Sequence, residues 1–279
     1  MWPNESPPDW SAVEIAVPRQ PCRLPGISMA GFRQHAPAAA DITMVAHPAV
    51  TLIVDLSVGD RLAYDGPDRR AYGSVVVGLA PGALRVSGRA AGGIACLQIR
   101  LSPLVAAAVL RAPTELSGAV VALDDVLGRA AGRIEDRLRA AASWDERFTI
   151  ARDALERWLS AAPSLDPEVA VAWSRIRADR GRVRVDDLAD QLSWSRKRLW
   201  SRFRAQVGLT PKYAARLVRF DHAAHLLAAG GGAAAVAVAS GYVDQSHLHR
   251  EVRAFTGVTP VAVAAAPWLA IDDVAWPTS

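Results

Sequence analysis

Two segments about fifty residues apart close on the same tetrad, Gly-x-Thr-Pro, at Gly208–Pro211 and again at Gly257–Pro260. Each is preceded by the same arrangement of apolar residues. In the first, Leu188, Ala189 and Leu192 come before a polar break, and Leu199 and Phe203 after it. In the second, Val236, Ala237 and Ala239 come before Gly241, and Leu248, Val252 and Phe255 after it. At helical spacing each set lies on one face, so each segment is expected to form two short helices joined by a tight turn. Asp186 and Ser195 are the expected caps of the first pair and Asp244 of the second helix of the second pair, with Gly208 just past a helix end. Between the copies, Pro211 to Ala228 reads as one helix, with Tyr213, Leu217, Phe220, Ala224 and Leu227 in register until Gly230-Gly231-Gly232 stops it. At the α-helical rise this connector is about 27 Å long.

Charge is distributed unevenly around this repeat. Residues 173–255 hold 15 Lys+Arg against 7 Asp+Glu, a net +8, whereas the remainder of the chain is at −4. A cationic block of domain size beside an acidic one points to a polyanionic partner. Each second helix buries its apolar face and turns its polar residues outward, which is the arrangement needed to enter a major groove. The exposed candidates are Ser195, Arg196, Lys197, Arg198, Trp200, Ser201 and Arg204 in the first copy. In the second they are Asp244, Gln245, Ser246, His247, His249 and Arg250. A spacer of this length suits two helices about one DNA turn, roughly 34 Å, apart on one duplex face.

The stretches LADQLSWSRKRLWSRF, VGLTPKYAARLVRFDHAAHLL and VAVASGYVDQSHLHREVRAFTGVTP resemble the paired helix-turn-helix signature of the AraC/XylS family of transcription regulators, over about residues 170–262. The resemblance implies that Lys197, Trp200 and Ser201 face the groove and that Arg196 and Arg198 lie on phosphate. It departs from the family pattern at Ser201, where Arg is usual, and at Arg202, where an apolar residue is usual. The second copy is the more family-like, through its Gly-aromatic-x-Asp-Gln-Ser-His run, Arg250 and Phe255. VAVAAAPW replaces the family's aromatic-Arg ending, so the final helix is expected to be short. The partners expected of such a regulator are double-stranded operator DNA, a small-molecule effector, a second copy of the chain and RNA polymerase.

The N-terminal part reads differently. From Val50 the runs TLIVDLS, RLAY, GSVVVGL, LRVSG and IACLQIRL are short, β-branched and separated by turn residues. They predict an antiparallel β-barrel or sandwich, and residues 1–40 read as loops and short edge strands. Ser102-Pro103 is a helix start. Leu127, Ala131, Ile134 and Leu138, then Phe148, Ala151, Leu155, Trp158 and Leu159, mark two amphipathic helices suited to packing on the β part or to dimerisation. AAPSLDP, residues 161–167, marks a boundary. The expected division is an α+β chain: 1–110 β-rich, 111–165 helices and linker, 166–268 the all-α double motif, and 269–279 a tail. This β-rich part is similar to the cupin-like sensor domains of the same family, which implies an effector site or a dimer contact. Phe32, Arg33, Tyr64, Tyr72 and Arg100 are the candidate effector contacts.

Enzyme chemistry finds no support in the sequence. GxSxG, P-loop, Rossmann and HExxH patterns do not occur. His35 and His47 are the only histidines before residue 222, so neither a metal nor another cofactor is expected. No apolar run reaches eighteen residues and the first residues do not form a signal sequence, so a cytoplasmic location is expected. The competing reading is a DNA-repair protein that attaches through the double motif and takes an alkyl group on Cys22 or Cys96.

Overall fold

Side-chain alternation organises the N-terminal half. In the computed structural model, which describes residues 12–20, 24–35, 37–66, 69–80, 82, 84–111, 113–266 and 269–276, ten strands form among the described residues. They are β1 (Val13–Ala16), β2 (Ile27–Gln34), β3 (Ala38–Met44), β4 (Val50–Asp55), β5 (Ala63–Asp65), β6 (Arg70–Tyr72), β7 (Val75–Val77), β8 (Leu84–Ala90), β9 (Ile94–Leu101) and β10 (Val120–Ala122). All pairings are antiparallel, in one sheet of order β1-β2-β9-β4-β7-β10 and another of order β3-β8-β5-β6. The result is a sandwich of two open sheets and not a closed barrel. Strand β4 shows why it holds together: Ile53 faces the inter-sheet core with Val75, Val77, Cys96, Tyr64, Leu84 and Val86, while Val50, Leu52 and Val54 face the helices. Both faces of that strand are buried, Thr51 and Asp55 included.

Two expectations change here. Residues 27–34 are not an edge element: β2 pairs along its whole length with β9, from Ile27 opposite Leu101 to Gln34 opposite Ile94. The β-rich part also does not end at residue 110, because β10 returns after two helices and pairs with β7. Cys22, Trp2 and Trp10 lie outside the described residues.

Helices α1 (Pro103–Leu110), α2 (Pro113–Leu116), α3 (Leu123–Leu127), α4 (Arg129–Ala140) and α5 (Trp144–Ser160) cover one face of the larger sheet. Ser102 caps α1, its Oγ accepting the Val105 N–H at 3.3 Å. The predicted stripes on α4 and α5 are spent on this packing, with Ala131, Ile134, Leu138, Phe148, Ala151 and Leu155 buried.

The C-terminal half is α6 (Pro167–Ala178), α7 (Val185–Gln191), α8 (Arg196–Val207), α9 (Pro211–Ala228), α10 (Ala233–Ala239), α11 (Gln245–Thr256), α12 (Pro260–Ala264) and α13 (Asp272–Ala275). Helix α9 has the predicted limits, capped by Thr210, and buries Leu217, Phe220, Ala224 and Leu227. Helix α12 is five residues long, in keeping with the missing aromatic-Arg ending. Helices α1 and α2 pack against α8, so one continuous apolar core joins the two halves.

Candidate nucleic-acid interface and inter-sheet pocket

The two helix pairs are built alike. Ser195 Oγ accepts the Arg198 N–H at 3.2 Å and starts α8; Asp244 Oδ1 accepts the His247 N–H at 2.6 Å and starts α11. Both helices stop at a glycine in the left-handed region, Gly208 at φ +87° and Gly257 at φ +74°, each donating its N–H to the helix. A residue with a Cβ is strained there, which is why the tetrad begins with glycine. The turns also correspond: Trp194 N–H bonds Ala189 O and Tyr242 N–H bonds Ala237 O, both at 2.9–3.0 Å. In the first turn Ser193 takes φ +52°, where the second has Gly241 at +73°. The predicted cap Asp186 is a correction: the N-cap of α7 is Arg184, two residues earlier, and Asp186 instead pairs with Arg196 at 3.1 Å.

Leu199, Phe203 and Val207 are buried on α8, and Leu248, Val252 and Phe255 on α11. Of the groove candidates, Ser195, Arg196, Lys197, Arg198, Trp200, Ser201, Arg204, Asp244, Gln245, Ser246, His249 and Arg250 are exposed, and His247 is half-buried. The hydroxyl of Ser195 and the carboxylate of Asp244 are turned onto their helices as caps. Trp200 does not pack on Trp194; it is 46% exposed with the Arg204 guanidinium over its ring at 5.2 Å. Trp194 is buried beneath Arg198 at 4.4 Å. Lys197, Arg204 and Arg250 enter no salt bridge among the described residues. Arg202, the off-pattern residue, turns away and forms a two-pronged pair with Asp166 at 2.6 and 2.7 Å. It ties α8 to the start of α6, a role the sequence did not suggest.

Between the sheets lies a cavity of about 180 Å³. Phe32, Arg33, Tyr64 and Arg100 line it, whereas Tyr72 sits half-exposed on β6, outside its wall. Sequence reasoning missed the other side of the chamber. Residues 269–276, expected as a tail, fold back: Leu269, Ile271, Asp272 and Trp276 close it together with Asp221, Ala224 and His225 of α9. Arg100 Nη2 donates to Asp272 at 3.0 Å and its guanidinium lies 4.0 Å from the Trp276 ring centre. His225 Nε2 is 3.0 Å from Asp272, and His47 Nδ1 is 2.7 Å from Asp221. Ala275 and Trp276 pack on Ala30, Ile15 and Phe32. One short segment thus fastens α9 to the larger sheet.

Residues 188–266 match the family model described as a helix-turn-helix domain. The chain carries a helix-turn-helix domain over these residues. Three solved structures are similar in shape to the chain. ToxT from Vibrio cholerae O395 is 11% identical, with 86% of this chain and 98% of that one covered at a TM-score of 0.46. ToxT bound to (E)-4-(8-methylnaphthalen-1-yl)but-3-enoic acid is 11% identical, with coverage of 87% and 99% at a TM-score of 0.49. The C-terminal domain of AraT, a response regulator from Geobacillus stearothermophilus, is 21% identical, with coverage of 37% and 88% at a TM-score of 0.35. No curated protein matches significantly in sequence. Among the described residues no helix is long and apolar enough to cross a membrane.

The fastening of α9 to the sheet depends on charge. The hydrogen bond to Asp272 raises the pKa of His225 to about 9, against the effect of burial. Burial pushes Asp272 up, but His225 and Arg100 together outweigh it and hold it at about 2. His225 therefore contributes fully below its unfolded value near 6.5, and the contribution is lost as pH rises through about 9. Asp272 contributes above its ordinary 3.8 and loses that contribution as pH falls through about 2. His225 is 36% exposed, so solvent screening reduces the effect to about 1–2 kcal/mol. The expected result is a thermal midpoint that declines between pH 7 and 9 and flattens in His225→Gln. An equal slope in the variant would assign the decline to other groups.

The alkyl-acceptor reading meets an obstacle at Cys96. Burial pushes its thiol up to about 12, away from the thiolate that a nucleophile needs. Cys22 lies outside the described residues.

Proposed function

We propose that this chain is a sequence-specific transcription regulator that reads double-stranded DNA in the cytoplasm through α8 and α11 and is controlled by a small molecule held between the β-sheets. The observation that carries this is the pair of side-chain-capped helices joined by α9. Each offers exposed polar side chains on the face opposite its buried stripe: Lys197, Trp200 and Ser201 on one, Gln245, Ser246 and Arg250 on the other. Arg196 and Arg198 are then phosphate contacts, and Arg202, held by Asp166, takes no part. A second copy of the chain and RNA polymerase are the protein partners in this reading. Sedimentation with and without operator separates one bound copy from two.

Selection of binding sites from a genomic library with the purified chain, at two salt concentrations, tests the proposal. A salt-sensitive but sequence-indifferent result would sink it. Within a selected site, Arg250→Ala is expected to weaken binding by about 1–3 kcal/mol and to relax preference at one base pair, as loss of a guanine contact does. Unchanged affinity and unchanged preference would remove Arg250 from the reading set.

A further inference from the structure

The pocket wall is charged, yet every charge in it is answered from within the chain. Arg33 pairs with Glu14 at 3.8 Å, Arg100 with Asp272 at 3.0 Å, His47 with Asp221 at 2.7 Å and His225 with Asp272 at 3.0 Å. An anionic ligand would have to take Arg33 from Glu14 or Arg100 from Asp272, the latter while facing Asp221; a cationic one would have to take Asp272 from Arg100 and His225. Either loses a partly buried ion pair to gain one. The body of the chamber is apolar, with Ile42, Met44, Ile53, Leu62, Val86 and Ile94 in its walls.

Three uncharged polar side chains, Gln34, Gln98 and Tyr64, line the chamber, and Tyr64 is the most deeply buried of them. Tyr64, 1% exposed, reaches the wall from β5, and among the described residues its hydroxyl has no hydrogen-bond partner. Burial and the nearby Cys96 and Asp55 drive its pKa well up, so it remains a neutral phenol able to donate or accept. A ligand oxygen placed against this hydroxyl gives it a hydrogen bond that the chain itself does not supply. The cavity of about 180 Å³ sets the size, since one of about 150 Å³ holds benzene.

We propose that the pocket takes an uncharged, one-ring-sized apolar molecule carrying a single hydroxyl or carbonyl, which bonds Tyr64. The closing segment Leu269–Trp276 reads its occupancy, because that segment forms part of the wall and also holds α9 between the two recognition helices. The inference rests on the regulator reading for its purpose but not for its test.

Calorimetric titration of the full chain at neutral pH with four probes of matched size decides it: phenylethanol and acetophenone, uncharged, against phenylacetate and phenethylammonium. The neutral pair is expected to bind at least about tenfold more tightly than either ion, and Tyr64→Phe to weaken the neutral pair about fivefold while leaving the fold intact. Ala40→Phe, which fills the chamber from β3, should abolish binding. Tighter binding of either ion, binding of none of the four, or equal affinity in Tyr64→Phe overturns the ligand class. Operator affinity of the unliganded chain is measured alongside. Its absence counts against the regulator reading, whereas the titrations judge the pocket alone.

Discussion

Phe220→Ala is expected to cost about 3–5 kcal/mol of folding free energy, the largest effect of any single substitution considered. Phe220 has no exposed surface and lies at the middle of α9, the helix that both recognition units share. Its ring stacks on Phe255 of α11 with centroids 4.8 Å apart, and Phe255 in turn meets Tyr213 edge-on at 5.7 Å. Truncation opens a cavity where α9 and α11 meet, and the surrounding helices cannot collapse into it without moving the second recognition helix. Urea unfolding followed by far-UV circular dichroism should show an earlier midpoint, and operator binding should fall with it. A loss below about 1 kcal/mol would mean that the site repacks freely and that α9 does not hold the two units in register.

Glu251→Ala is expected to cost about 2–3 kcal/mol. Glu251, on the buried side of α11, accepts Arg216 Nε at 3.0 and 3.1 Å and Nη2 at 2.8 Å, with Arg219 Nη2 at 3.9 Å. The carboxylate neutralises two guanidinium groups of α9. Without it they remain partly buried with no opposing charge, which in a sealed site costs about 3–5 kcal/mol. Arg216 is 33% exposed, so water recovers some of that. Glu251→Gln should be milder because its amide oxygen still accepts. A double-mutant cycle with Arg216→Met isolates the pair. A near-zero coupling energy would assign the stability of this contact to the stacked rings alone.

These two residues differ in how visible they are from sequence. Phe220 falls on the period of an apolar helix face, so its burial can be read from spacing. Glu251 follows Arg250 in a polar helix and looks like solvated surface. Its burial depends on where α9 crosses α11, which no local pattern encodes. The same division runs through the candidate sites. Ser195, Asp244, Gly208 and Gly257 act within a few residues of themselves, through caps and helix ends, and their roles follow from position. The pocket is the opposite case: Arg100 meets Asp272 across 172 residues and His47 meets Asp221 across 174.

The repeated tetrad and the faces before it were sufficient to define two helix pairs, the limits of α9 and the buried stripes of α8 and α11, because helix periodicity and capping are local forces. Alternation likewise marked most of the sandwich strands from Val50 onward. It failed at β2, where small residues such as Ala30 and Gly31 disguise an interior strand that is covered from both sides. Only the tertiary structure decided that residues 269–276 close the pocket, that Arg202 serves Asp166, and that the pocket's charges cancel one another. Each of these depends on which distant segments the topology brings within a few ångströms, and charge pairing at that range leaves no period in the sequence.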